Sequence, residues 1–208
     1  MENSKSNKGI QTYTKILETA AELFAIKGYD GISMRDIAQK ANINESSIYN
    51  HFNSKEDILN KIIDNFTETA PSYILNEEEL NRSIKIMKPD EILKFTMFNT
   101  WNKMSNYLLN AFVVIQNEKY KNSKAALAYY NNLIYEQIDY YKTIFNKMKK
   151  LNLIRNVNID LIATQYNYVF LQLIQEYFMA RNGLGNENDV IKKIITNIEF
   201  YCDYMKEK

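Results

Sequence analysis

Apolar positions recur at helical spacing from the start of the chain. Tyr13, Ile16, Leu17, Ala20, Leu23 and Phe24 share one face and predict a helix over about residues 11–27. Gly28 is the expected residue just past its end, since glycine takes positive φ without a Cβ clash, and Gly31 is read as loosening the link to Ser33. Ser33 then opens a short helix. Its hydroxyl can accept from a free first-turn N–H, and Asp36 can reach back to complete a capping box. Met34, Ile37, Ala38 and Ala41 fall at i, i+3, i+4 and i+7, on one face, and the two alanines let another helix come close. After the Ala41-Asn42-Ile43 turn, Asn44 is the expected N-cap of a second short helix that points Ile48 and Phe52 inward. Glu45 and Ser46 then lie at its exposed start, and Ser47, Tyr49, Asn50 and His51 face outward. Ser54-Lys55-Glu56-Asp57 starts a further helix through Ile58, Leu59, Ile62, Ile63 and Phe66. Two short helices across a tight turn read as a helix-turn-helix, whose second helix is built to lie in the DNA major groove.

Beyond residue 70 the periodic segments lengthen. Stretches near 89–117, 122–151, 158–182 and 187–206 predict long helices, with Asn106 or Asn110 marking a break in the first. Pro71 and Pro89 punctuate the junction. Only 5 Gly and 2 Pro in 208 residues leave few breakers, so the expected class is all-α. Residues 1–66 form the expected N-terminal three-helix domain, with a flexible arm over 1–10, and residues 67–208 a C-terminal helical bundle.

Composition excludes several chemistries. His51 is the one histidine and Cys202 the one cysteine, so no Cys/His pair, zinc set or intramolecular disulfide is available, and no glycine loop suits a phosphate. Neither catalytic residues, metal ligands nor a cofactor are expected. No N-terminal segment resembles a signal peptide, and no run approaches the roughly 18 apolar residues of a membrane span. A cytoplasmic protein is therefore expected.

Charge changes the picture of DNA binding. Residues 1–66 hold 8 Lys/Arg and 9 Asp/Glu, a net of 8 − 9 = −1. No bulk basic surface exists to attract a polyanion. Lys5 and Lys8 read either as part of an arm reaching DNA or as an ordinary terminus. Binding that rests on a few placed contacts predicts a shallow dependence of affinity on salt, because the slope counts neutralised phosphates. A titration from low to physiological salt checks this; a steep loss would contradict it.

The series T-K-I-L-E-T-A-A-E-L-F-A-I-K-G-Y (Thr14 to Tyr29), S-M-R-D-I-A-Q-K-A-N-I (Ser33 to Ile43) and S-I-Y-N-H-F-N-S-K-E-D-I-L (Ser47 to Leu59) carries a family likeness. Residues 12–63 resemble, without gaps, the N-terminal DNA-binding domain of the TetR family of bacterial transcriptional regulators. The resemblance implies that Tyr49, His51 and Lys55 contact DNA phosphates and that Ser33 and Arg35 touch backbone or a nearby base. It places Glu45, Ser46 and Ser47 at base edges, with Asn44 and Asn50 on the same helix. Glu45 departs from the family's commoner neutral or basic residue; an acid accepts from a cytosine amino group but repels phosphates.

Thirteen of the 16 tyrosines lie beyond residue 70, with the single Trp101. An aromatic stripe at helical spacing makes either core or cavity wall. Tyrosine suits a cavity because its ring is apolar and its hydroxyl can orient a ligand. The resemblance implies a small effector in the C-terminal bundle. The candidate lining is Phe98, Trp101, Asn102, Tyr107, Leu108, Phe112, Tyr130, Ile134, Tyr166 and Phe170, with Glu136, Gln137 and Asn167 as further polar anchors and either Glu136 or Asp139 as the residue that would favour a cationic aromatic ligand, or else as a solvated side chain. The last two helices are apolar on more than one side: Ile162, Tyr166, Val169, Phe170, Leu173 and Tyr177 on one face, and Leu161, Tyr168, Leu171 and Met179 on another. With the stripe Val190, Ile191, Ile194, Ile198, Tyr201 and Met205, they read as a homodimer's four-helix bundle or as a monomer's own core.

The expected function is a ligand-responsive repressor that binds a palindromic operator as a dimer and is released by a small aromatic or lipophilic effector. The alternatives are an architectural DNA-binding factor without an effector, and an activator.

Overall fold

The structure is a computed structural model that describes the backbone of residues 2–206 and the side chains of residues 7–206. It contains helices α1 (Glu2–Lys27), α2 (Met34–Ala41), α3 (Glu45–Tyr49), α4 (Lys55–Thr69), α5 (Glu77–Ile84), α6 (Pro89–Lys103), α7 (Asn106–Glu118), α8 (Ser123–Ala128), α9 (Glu136–Lys150), α10 (Ile159–Arg181) and α11 (Glu187–Met205). A 3₁₀ turn, Ala70–Tyr73, follows α4, and a π-helical stretch, Tyr129–Tyr135, separates α8 from α9. Among the described residues there is no strand, and no helix is long and apolar enough to cross a membrane.

The chain forms two compact units. One comprises the residues up to Ala70 together with Met104–Tyr129; the other comprises Pro71–Lys103 with the residues from Tyr130 onward. In the first, α1 packs on α2, α4 and α7, α2 on α3, and α4 on α7 and α8. Ile16, Phe24, Ile37, Ile48, Ile58, Ile62 and Phe66 are fully buried there. Each such side chain contributes roughly 1.5–3 kcal/mol over leaving it in water. In the second unit α10 packs on α9 and α11, α11 on α6, and α5 on α6 and α9.

Local signals place most helix ends. Ser33 and Asp36 form the expected capping box, and Gly28 ends α1 at φ +77° with its N–H donating to the Phe24 carbonyl at 3.0 Å. The break in the 89–117 segment falls at Ser105, whose hydroxyl accepts from the Leu108 N–H and starts α7 at Asn106.

Four features differ from the sequence reading. First, α1 runs back to Glu2, so the start read as a flexible arm is helical backbone; the side chain of Lys5 lies outside the described residues. Second, Gly31 does not loosen its link. A Cβ there would come within 2.9 Å of the Lys27 carbonyl, so glycine is needed for the close approach. Third, α5 was unforeseen although Asn76 and Glu79 form a capping box at its start. Fourth, the 122–151 helix is interrupted by the π stretch, whose Leu133 carbonyl accepts from the buried Asn167 amide at 3.0 Å. The assignment of everything past residue 66 to one domain also differs from the packing. Helices α7 and α8 join the first unit, where Phe112 lies 6.5 Å from Phe66 and Lys124 pairs with Asp64 at 2.7 Å.

Candidate nucleic-acid interface

Helix α3 is too short to be stable alone; its seat in the core holds it. Ile48 is fully buried and Phe52, just beyond the helix, is nearly so. Tyr13 of α1 stacks on Phe52 with centroids 5.0 Å apart and meets the His51 ring edge-on at 6.0 Å. The opposite side faces water. Asn44, Glu45, Ser46 and Asn50 are exposed, Ser47 and His51 are half-buried, and Tyr49 keeps 53% of its surface. Arg35 on α2 is exposed as well.

Three predicted contacts have a different first use here. Asn44 occupies the N-cap position of α3, but its side chain makes no cap hydrogen bond; the cap works through its carbonyl, which accepts from the Ser47 N–H at 2.9 Å. Its amide stays on the exposed side. The Ser33 hydroxyl accepts from the Asp36 N–H at 3.2 Å and donates to the Asp36 carboxylate. These Ser33 hydrogen bonds, with the charges of Lys27 and Arg35, hold the Asp36 carboxyl below its usual range. The Lys55 ammonium donates to the Tyr29 and Ile32 carbonyls, at 2.8 and 2.7 Å, and sits 4.1 Å from the centroid of the Tyr29 ring. Sequence reasoning missed Tyr13 and Tyr29 as the supports of His51 and Lys55, because a tyrosine on an apolar helix face or in a loop carries no mark of its neighbour.

The charge pattern is as sparse as composition implies. Lys40 is paired with Glu22 at 2.6 Å, and Lys121 of the first unit with Asp30 at 2.8 Å. Both pairs are solvent-exposed, so each is worth little.

The predicted effector residues are dispersed. Tyr107, Leu108 and Phe112 belong to the first unit: Tyr107 accepts from the Asn65 amide at 3.0 Å, and burial pushes its hydroxyl up to about 12. Leu108 and Phe112 are buried in that core. In the second unit Tyr166 and Phe170 stack at 6.1 Å, while Trp101 meets Tyr177 edge-on at 4.4 Å. Ile134 is buried, whereas Phe98, Asn102 and Tyr130 are exposed, Tyr130 lying edge-on to Tyr135 at 4.8 Å. Glu136 and Asp139 face solvent, and the Asn167 amide is engaged by the Leu133 carbonyl. A surface pocket of about 420 Å³ on this unit is lined by other residues, among them Asp90, Glu199, Cys202 and Lys206.

Residues 16–62 match the profile described as "Bacterial regulatory proteins, tetR family". The N-terminal domain belongs to the TetR family. The matched span runs from Ile16 in α1 to Ile62 in α4 and so contains the whole helix-turn-helix. One relative is the biofilm operon icaADBC HTH-type negative transcriptional regulator IcaR of Staphylococcus epidermidis, 37% identical over 70 residues. That alignment covers 34% of this chain and 38% of the relative's own length. The fatty acid degradation regulator FadR from Bacillus halodurans shares the fold at a TM-score of 0.66 and 16% identity, over 95% of this chain and 97% of that one. AibR, solved in complex with isovaleryl coenzyme A and operator DNA, gives a TM-score of 0.55 at 24% identity, over 78% and 83% of the two chains. The TetR-type all-α fold therefore extends past the matched domain into the second unit.

Proposed function

We propose that this chain is a ligand-responsive transcriptional repressor that binds a palindromic operator as a homodimer and leaves it when a small lipophilic or aromatic effector binds. The observation that carries this reading is the TetR-type α3, anchored by Ile48 and Phe52 and presenting Glu45, Ser46, Ser47, Tyr49 and Asn50 outward. In this reading Glu45, Ser46 and Ser47 meet base edges, and Tyr49, His51 and Arg35 meet the DNA backbone. IcaR is by name a negative regulator, which favours repression. The AibR complex holds an acyl coenzyme A and operator DNA together on this fold, which favours an effector. No catalytic role is assigned.

Dimerisation is supported by what the protomer leaves uncovered. Leu161, Tyr168 and Met179 on α10 and Phe200 and Tyr204 on α11 stay exposed after the second unit has formed its own core. A second copy packing on these helices would cover them and set two recognition helices for half-sites a helical turn, or multiples of it, apart. The effector acts through its higher affinity for the state whose recognition helices are misplaced for both half-sites. Residues beyond 66 supply this effector and dimer machinery, with the Tyr166–Phe170 and Trp101–Tyr177 clusters as the aromatic candidates.

A gel shift on the DNA upstream of the protein's own gene, with nonspecific competitor, followed by site selection from random duplexes, tests the reading. A discrete, competitor-resistant complex with an inverted repeat is expected. Failure to select any sequence would refute it.

A further inference from the structure

We infer that Glu45 sets the base preference of this chain at one position of each half-site, and that the base it selects is cytosine. The inference rests on the DNA-binding reading and takes it one step further, to the base pair that is read.

Helix α3 opens on Glu45, Ser46 and Ser47. In a helix-turn-helix the N-terminal residues of the second helix meet the base edges. The two serines discriminate little there, because a hydroxyl both donates and accepts and so serves either kind of edge. Glu45 is an acceptor only. It is exposed, and its side chain is the longest of the three.

The protomer does not neutralise this acid. Other carboxylates of the first unit are engaged by their neighbours. Glu22 pairs with Lys40 at 2.6 Å, Asp30 with Lys121 at 2.8 Å and Asp64 with Lys124 at 2.7 Å. Asp36 and Asp57 accept from the Ser33 and Asn53 N–H groups at 2.8 and 3.1 Å. Among the described residues Glu45 has no hydrogen bond and no ion pair. Its full charge therefore enters a groove lined by phosphates, on a domain whose own charges sum to 8 − 9 = −1. That costs affinity on every sequence except one where a donor on the base edge meets the carboxylate.

The major-groove edges offer few such donors. Guanine presents two acceptors, and thymine an acceptor and a methyl group. Adenine sets its amino group beside the N7 acceptor, which repels the second carboxylate oxygen. Cytosine presents an amino donor with no acceptor of its own beside it. A carboxylate at this place is attracted by cytosine and wholly or partly repelled by the other three bases. Glu45 thus selects by rejection as well as by attraction.

Glu45→Gln keeps the shape and replaces two acceptors with a donor and an acceptor, the pair that matches adenine N6 and N7. Glu45→Ala removes the contact. Site selection from random duplexes is run on the full-length wild type and both variants. Wild type is expected to fix a C·G pair at one position of each half-site. Glu45→Gln is expected to move that position to A·T, and Glu45→Ala to lose preference there, with every other position unchanged. On the wild-type operator and its A·T-substituted counterpart, wild type is expected to favour C·G by about tenfold and Glu45→Gln to reverse the order. Two bland roles predict otherwise. An acid that only supports the first turn of α3 through the helix dipole, or one that only repels phosphates, changes affinity by the same factor on both duplexes and leaves every base preference unchanged. Either result overturns the inference, as does a wild-type site in which no C·G position responds to residue 45. Wild type selecting no sequence sinks the repressor reading and this inference together, whereas unaltered preferences in the variants sink the inference alone. Helicity confirms that the variants fold; if Glu45→Ala does not, the isosteric Glu45→Gln carries the test.

Discussion

Tyr166→Ala is expected to lower the unfolding free energy by about 3–5 kcal/mol, the range for truncating a large buried aromatic. Tyr166 is 1% exposed and lies at the centre of the second unit's aromatic cluster. Its ring meets Tyr141 at 4.7 Å, Tyr201 at 5.3 Å, Phe145 at 5.8 Å and Phe170 at 6.1 Å. Removing it takes a partner from four rings and leaves a hole that helices α9, α10 and α11 cannot easily close. Full burial also pushes its hydroxyl well above the usual phenol range. Urea unfolding monitored by helicity checks the magnitude. A change under about 1 kcal/mol, within reach of an ordinary exposed site, would show that Tyr166 borders open space, as the wall of an effector cavity would.

Tyr49→Ala is expected to weaken operator binding at least tenfold, with the unfolding free energy within about 0.5 kcal/mol of wild type. The two expectations separate because Tyr49 projects from a helix whose seat is Ile48, one residue earlier. Tyr49 keeps 53% of its surface exposed, and Ile48 keeps none. The proposed operator-bound dimer would lose two copies of the contact, which compounds the effect on a palindrome. Titration of a labelled operator at fixed salt, with sedimentation to confirm the dimer, checks it. Operator affinity equal to wild type would remove Tyr49 from the interface and leave the exposed start of α3 as the part that reads DNA.

The DNA-binding half was largely legible because its determinants are local. Ser33 with Asp36, Gly28 after α1, and the inward pair Ile48 and Phe52 are separated by a few residues, so spacing alone reveals them. The same local logic found α10 and α11 to within two residues of their ends. It passed over α5, although Asn76 and Glu79 carry the same capping signature as Ser33 and Asp36.

The candidate effector side was much less legible, and the reason is physical. Periodicity says that Tyr107, Phe112, Tyr166 and Phe170 each lie on an apolar face; it does not say which faces meet. Tyr107 finds Asn65 and Phe112 finds Phe66 in one unit, while Tyr166 and Phe170 meet α9 and α11 residues in the other. The π stretch at Tyr129–Tyr135 is invisible for a similar reason. Its residues, Tyr-Tyr-Asn-Asn-Leu-Ile-Tyr, carry no local mark that separates a π turn from an α turn, and its Leu133 carbonyl is engaged by Asn167 from 34 positions away.

By itself, then, the sequence determined the helical class, the helix-turn-helix and the outward set on α3, because hydrogen bonds and apolar faces within one turn of helix specify them. Only the tertiary structure decided that Lys55 holds two carbonyls 26 and 23 residues earlier, that Gly31 is a close-approach glycine, and that α7 and α8 pack with the first unit. Those outcomes depend on which distant groups arrive beside a side chain, and a charge or a ring takes its role from the partner that folding brings to it.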